Sequence, residues 1–493
     1  MSNLVKKTLD NIKQRRYNAL HNISNCIPCP LPRLAKEWAG LEKKKYIIVA
    51  GSDKSSKTQF SSFLFVYNSL HYAMKHSNTK VDILYFNLEE DAEDILNRYR
   101  LYLLKIKYGI LSNNDELLST GTILPETICN TIESSPFNEY LEYFDQHVTF
   151  SNINTVPEML NKMIEWNNQF GTYGENGKFK LNFDNHYRII LTDHIGLIDA
   201  MQGETLFNTL KTFSHKCIHM RDAYNLTICN IQQCSANSEG LEAIKMSRLL
   251  PSKYTLAEYR NSIADVNTMF GIFNPSKVNL DTFNGYLIYD NINKEDVLGD
   301  NARFVNIMAN RGGRLGAILS LYTDGSNAYF EELPSLREKK KLEEFYEKLR
   351  NKRNLEMMKT EEKEQSLITS QNSNQPIKVI KSFFANIISI KKAKKKYELY
   401  WDLESLPDKL HIGYNYLIPI LSDKENVCDK CWFHNECNRS DIPCAPRVYW
   451  TLEEPQPQNN TQETNKIEIK NQEEEKEKTI GFKFKNIFKK DKK

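Results

Sequence analysis

Residues 46–58, YIIVAGSDKSSKT, constrain this chain more than any other stretch, because they dictate a strand, a sharp turn and a helix start in immediate succession. The β-branched apolar run from Tyr46 predicts a buried strand. Gly51, Ser52, Asp53, Lys54, Ser55 and Ser56 predict a turn whose backbone N–H groups face an anion, and Lys57 and Thr58 then open a helix. In such a loop the lysine reaches the β- and γ-phosphates of a nucleotide, and the hydroxyl ligates Mg²⁺. Ser56 stands where the pattern G-x-x-x-x-G-K-[ST] has its second glycine; serine is small and adds a donor. The competing reading is a small-residue turn between an ordinary strand and helix.

Three further apolar runs end in chemistry-bearing residues. Residues 81–88 predict a strand followed by Glu89 and Glu90; residues 187–193 predict one that ends in Asp193; residues 225–232 predict one that ends in Gln232. In an open α/β sheet ligands bind outside the carboxyl ends of the strands, so these endings converge. A lysine, a metal-holding acid, a water-orienting acid and a γ-phosphate sensor are what phosphoryl transfer to water requires. Each residue has a plainer alternative: Asp193 as a helix N-cap, Glu89 as a solvated acid with Glu90 competing for the role. Gln232 is preferred over Gln233 as the sensor, and His194 reads as a packed loop histidine.

With 493 residues the chain has room for two or three domains. Its 40% hydrophobic and 26% charged residues are ordinary for a globular protein. No run approaches the ~18–20 apolar residues of a membrane span, and the polar N-terminus lacks a secretory h-region. A membrane partner is therefore not expected. Ten cysteines, four of them clustered late, do not form a secreted disulfide framework. They point to a reducing cytoplasm. The net charge of +3 implies no nucleic-acid partner by itself, so any such reading must come from local patches.

Composition divides the chain at several points. Residues 1–23 predict an amphipathic linker helix, packed on its own core or docked on a neighbouring subunit. Residues 24–335 alternate strands and helices, the signature of a mainly parallel sheet covered on both faces, with a helical insertion near 108–146 and a loop or hairpin at 171–185. Residues 336–399 read as a charged, solvated helical linker, 400–453 as a small module, and 454–493 as a disordered tail ending in basic and aromatic residues. In the module, Cys428, Cys431, Cys437 and Cys444 open with C-x₂-C and can close a tetrahedral Zn²⁺ site. An iron–sulfur cluster uses the same ligands, His434 can replace one cysteine, and a metal-free module is the third alternative. Cys26 and Cys29 lie among prolines and read as linker.

The 86–98 segment, FNLEEDAEDILNR, resembles the strand-end glutamate and A-E-x-x-x-x-R helix of the DnaB-like hexameric replicative helicases, within the RecA-like fold. Residues 256–262, LAEYRNS, are similar to that family's L-S-D-L-R-x-S, and 304–316, FVNIMANRGGRLG, to its K-x-R-x-G-x-x-G hairpin. The stretch 323–331 matches its closing strands. The resemblance covers about residues 24–335. It implies that Glu89 polarises the attacking water, that Arg311 acts in trans on a neighbour's γ-phosphate, and that about six subunits form a ring around single-stranded DNA. ATP and Mg²⁺ are the implied cofactors. Ser56 and Ala309 depart from the family pattern; at 309 the family has a lysine, for which Arg314 is the available substitute. About 30 residues precede the core, so the family's primase-contacting domain is not expected, as in its small phage-type members.

The reading that follows is an ATP-dependent DNA helicase that hydrolyses ATP at inter-subunit sites during replication, with primase, loader or single-strand-binding protein as further partners. The alternatives are a RecA-like DNA-dependent ATPase of another kind (recombinase, packaging motor or switch protein) or a binding-only subunit. Lys245, Arg248 and Lys253 follow the sensor strand and are the candidate DNA contacts, directed at phosphates. Beyond 335, the basic run 391–396 and Phe482, Phe484 and Phe488 suit DNA, a protein partner or anionic lipid.

Overall fold

The computed structural model describes residues 3–353, except short stretches at 22, 121, 175–178, 236–237, 239, 247 and 292–294, and two short strands beyond. Contacts divide the chain into a unit Met1–Arg353 and a unit Asn354–Lys493. In the second unit, Leu417–Leu421 pairs antiparallel with Val448–Leu452. Cys428, Cys431, Cys437, Cys444 and His434, the basic run at 391–396 and the aromatic tail all lie outside the described residues.

The first unit is built on a nine-stranded sheet. In chain order its strands are β1 (Tyr46–Gly51), β2 (Lys80–Asn87), β3 (Val148–Ser151), β4 (His186–Asp193) and β5 (Thr227–Gln233). Then come β6 (Thr268–Phe273), β7 (Ala302–Asn310), β8 (Ile318–Asp324) and β9 (Tyr329–Glu332). Their spatial order is β9-β8-β7-β6-β1-β5-β4-β2-β3. The six strands from β6 to β3 are parallel, and β7, β8 and β9 extend the sheet as an antiparallel meander. This large mixed sheet wrapped by helices is the RecA-like α/β arrangement, as expected.

Both faces are apolar because alternate residues of each buried strand point to opposite sides. Ile47 and Val49 of β1 join Tyr85, Leu191 and Ile231 under the helices on one face. Tyr46, Ile48 and Ala50 join Phe86, Ile190 and Ile228 under Val156–Asn168 and Leu206–Tyr224 on the other. The 108–146 insertion is helical, with Glu126–Ile132 and Ser135–His147, and Gly171–Tyr173 pairs with Phe179–Leu181 as a hairpin.

The N-terminal helix spans Asn3–Leu20, and its apolar residues are exposed: Leu4 (71%), Ile12 (64%) and Leu20 (70%) are not packed on the core of this chain. Residues 339–353 differ from a solvated linker. Leu342, Tyr346 and Leu349, one face of a helix, are buried against Tyr286, Ile288 and Leu298, and Arg350 pairs with Glu295 at 2.8 Å. Fully burying each such side chain is worth roughly 1.5–3 kcal/mol, so this helix is bound to the first unit despite its charged composition.

Candidate nucleotide-binding site

The loop between β1 and the next helix, which starts at Lys57, lies where the parallel strands end. Gly51 is required there: a Cβ on it would fall 2.7 Å from Ile272 O of β6 and 2.5 Å from Ser55 Oγ. Lys54 and Ser56 both take positive φ, +53° and +69°. The left-handed conformation disfavours a non-glycine residue by about 1 kcal/mol, which explains why glycine is the usual occupant of position 56. Here the serine gains a contact in return, since Arg303 Nε donates to Ser56 Oγ at 3.0 Å. Lys57 is buried, and its Nζ donates to Ser52 O at 2.7 Å. Burial holds its ammonium below the ordinary lysine value, opposed by the negative charges of Glu89, Asp193 and Asp53.

Asn87 of β2 pairs with Asp193 of β4, so the glutamate pair and the aspartate finish side by side. Asp193 is buried; Tyr85 Oη donates to its Oδ2 at 3.3 Å. Burial pushes its carboxyl up to about 7, reinforced by Glu89 and Glu90 and countered by Thr58 and Lys57. Asp193 Oδ1 has no hydrogen-bond partner. A buried carboxylate with one unpartnered oxygen, whose titration the Thr58 hydroxyl opposes, is a hard-oxygen set that fits Mg²⁺.

The two glutamates separate cleanly. Glu90 is held by Arg98 in a bidentate pair, 2.6 and 2.7 Å, and is thereby a structural residue. Glu89 is half-exposed, 3.7 Å from His194 Nε2, with a carboxyl raised by burial and by Glu90. His194 is lowered to about 4 by burial and by Lys57, so it is neutral at physiological pH. Its Nδ1 accepts from Gly196 N–H at 3.1 Å, which leaves the proton on Nε2, on the side of Glu89.

Gln232 is not placed as a sensor. Its Nε2 donates to Ala257 O and Tyr259 O at 2.9 and 3.0 Å, and its Oε1 accepts from Ser262 Oγ at 2.6 Å. The fully buried amide is committed to fixing the 256–262 segment. Gln233, which pairs with Gly51 and is half-buried, is the amide at the strand's end on the phosphate-loop side. As neighbours on one strand, the two amides point to opposite faces of the sheet.

Arg311 sits at the other end of the sheet. Its N–H donates to Asn267 O, just before β6, at 2.9 Å, and Asn310 pairs with Thr268, itself beside Ile47 at the start of β1. Four strand residues, roughly 13 Å, separate that level from Gly51. Arg311 and Arg314 are both exposed. The structure therefore gathers Gly51–Thr58, Glu89 and Asp193, and places Arg311 away from them.

After β5, Cys234 bridges Leu256 and clamps the base of a loop that exposes Lys245, Arg248 and Lys253. Tyr254, 73% exposed, carries Lys253 Nζ 5.1 Å from its ring centre. The sequence reading missed this tyrosine, as it missed Lys277 and Arg303 at the phosphate loop; neither cation belongs to a local motif.

No family model matches the chain, and neither does any curated protein. Among solved structures, the ATPase domain of G40P is 13% identical, with TM-score 0.46, covering 66% of this chain and 99% of that one. A DnaB-like replicative helicase, solved for its interactions with primase, is 13% identical, with TM-score 0.49, covering 66% of each chain. A KaiC-like protein, PH0186 from Pyrococcus horikoshii, is 13% identical with TM-score 0.34, covering 62% of this chain and 98% of that one. Nothing about function follows from likenesses this distant. Among the described residues no helix is long and apolar enough to cross a membrane.

Proposed function

We propose that the chain is an ATP-dependent DNA helicase whose hydrolytic sites form between copies of itself. The observation that carries this is the division of the machinery between the two ends of one sheet. Lys57, Thr58, Glu89 and Asp193 stand at the phosphate loop, while Arg311 is exposed roughly 13 Å further along β1, out of reach of its own loop. An arginine so placed serves a neighbour, and a site shared across an interface lets hydrolysis in one subunit move the next. The exposed apolar residues of Asn3–Leu20 support docking on a second copy, and a ring of about six is the assembly that the sequence resemblance implies.

In this site Gly51–Ser56 cradle the triphosphate, and Lys57 leaves Ser52 O for the β- and γ-phosphates. Thr58 and Asp193 would hold Mg²⁺, which would supply charge neutralisation at the phosphates. Glu89, steadied by neutral His194, orients the water, and Gln233 senses the γ-phosphate. Lys245, Arg248, Lys253 and Tyr254 contact single-stranded DNA through phosphates and stacking. A zinc site at Cys428, Cys431, Cys437 and Cys444 is proposed on spacing alone, and primase, loader or single-strand-binding protein as further partners on the resemblance alone.

ATP turnover measured with and without single-stranded DNA, over a range of protein concentrations, tests the proposal. Stimulation by DNA and a specific activity that rises with concentration are expected, together with unwinding of a forked duplex. A DNA-indifferent, concentration-independent ATPase would leave a switch or scaffold protein as the better reading.

A further inference from the structure

Lys277 lies on the short turn Pro275–Val278 that follows β6. Its Nζ donates to Asp53 O at 2.5 Å and to Ser52 Oγ at 3.2 Å. Lys57 Nζ meets the same residue from the other side, at Ser52 O. Two ammonium groups from distant parts of the chain thus share one loop tip.

This placement is built. β6 is pressed against the loop, because Gly51 leaves no room for a Cβ beside Ile272 O. The turn carrying Lys277 is fixed by Asn274, whose Oδ1 accepts from Ser276 N–H at 3.1 Å and whose Nδ2 donates to Asp300 Oδ1 at 2.6 Å. Ser276 Oγ donates to the same Asp300 oxygen at 3.2 Å. Asp300 also pairs with Arg303, whose Nε reaches Ser56. One carboxylate therefore organises the supports at both ends of the phosphate loop. Arg303 is buried and committed to backbone carbonyls as well, whereas Lys277 is half-buried at the end of a flexible stem. An ammonium on such a stem exchanges a carbonyl for a phosphate oxygen without moving the backbone.

We infer that Lys277 is a second phosphate-contacting cation supplied by the same chain, acting at the terminal phosphate of the bound triphosphate. The position follows from its neighbour. Lys57 turns from Ser52 O to the β- and γ-phosphates, and Lys277, held at Ser52 and Asp53 of the same loop tip, stands beside it. The inference rests on the reading of this loop as a nucleoside triphosphate site.

The test is calorimetric titration of the full chain, with Mg²⁺, by a non-hydrolysable ATP analogue and by ADP. Lys277→Met and Lys277→Arg are compared with the unsubstituted protein, and nucleotide-free melting is recorded for each. Lys277→Met is expected to weaken the triphosphate analogue by roughly ten- to hundredfold, as loss of a charged hydrogen bond does. ADP affinity and nucleotide-free melting should barely change, and Lys277→Arg should recover much of the loss. Equal weakening of both nucleotides with a lowered melting temperature would make Lys277 a staple of the loop and overturn the inference, as would no effect. If the unsubstituted protein binds neither nucleotide, the site reading itself falls and takes the inference with it.

Discussion

Where β1, β2, β4 and β5 finish, ionisable groups are buried and hold one another; where β6 begins and β7 finishes, Arg311 and Arg314 are exposed. At the first end three charges are shifted or paired: Lys57 lowered, Asp193 raised, Glu90 locked to Arg98. Such perturbation at a strand-end cleft marks chemistry. At the second end the Arg311 guanidinium donates to Ala264 O of its own chain and stays exposed, and such an arginine on a hairpin would ordinarily pass for a surface residue. On the function proposed here, the difference makes the arginine end half a site, complete only against the buried end of another copy.

The largest effects should come from cutting each half. Lys57→Ala is expected to abolish ATP hydrolysis, and Arg311→Ala to reduce it by about 10³-fold or more. Only Lys57→Ala should also lose nucleotide binding in a filter or fluorescence assay. Loss of binding in Arg311→Ala would place that residue in its own chain's site and collapse the contrast.

The two glutamines sharpen the comparison within the buried end. Gln233→Ala should lower kcat by about 10²-fold with melting unchanged, the size reported for removing one donor to a transition-state oxyanion. Gln232→Ala should instead destabilise the fold by about 1–3 kcal/mol, since it strands Ser262 and two buried carbonyls. Denaturant titration beside steady-state kinetics separates these, and the reverse pattern would restore Gln232 as the sensor.

Asp193 gives a pH signature of similar size to the Gln232 effect. Its folded-state pKa near 7 exceeds the ordinary 3.8, so between those values the native state holds a proton that the unfolded chain releases. Stability should therefore fall as pH rises from about 4 to 7 and level off above, an Asp193 contribution of roughly 1–3 kcal/mol. Asp193→Asn should flatten that slope and raise nucleotide-free melting at pH 8, and should also abolish hydrolysis. Mg²⁺ with nucleotide should reverse the slope in the unsubstituted protein. An unchanged slope in the asparagine variant would mean that the carboxylate is already satisfied.

An effect of the same order, but on binding rather than stability, is expected at the loop after β5. Tyr254→Ala should weaken single-stranded DNA by about 1–3 kcal/mol, as for other base-stacking side chains. Fluorescence anisotropy with DNA of several sequences, at fixed salt, would measure it.

The strands that carry the phosphate loop, Glu89 and Asp193 were legible because long apolar runs ended abruptly in polar residues. β3 was not, since four residues, Val148–Ser151, are too short to show a period. Residues 339–353 read as solvated because three apolar positions, 342, 346 and 349, were scattered among lysines and glutamates; spacing rather than number makes a face. Gln232 and Gln233 differ only in which side of β5 they point to, and composition carries no parity. Lys277 and Arg303 meet the loop through strand order, a long-range property no local motif encodes. The serine at 56 looked like a defect until Arg303 supplied its partner.

Complementation measures the central claim directly. Lys57→Ala and Arg311→Ala proteins, each inactive alone, are mixed in equal amounts and assayed for DNA-stimulated ATP hydrolysis. A shared site predicts recovered turnover, because the intact phosphate loop of the Arg311→Ala chain then faces the intact arginine of the Lys57→Ala chain. A mixture that co-assembles but stays as inactive as its components would show that Arg311 does not complete a neighbour's site.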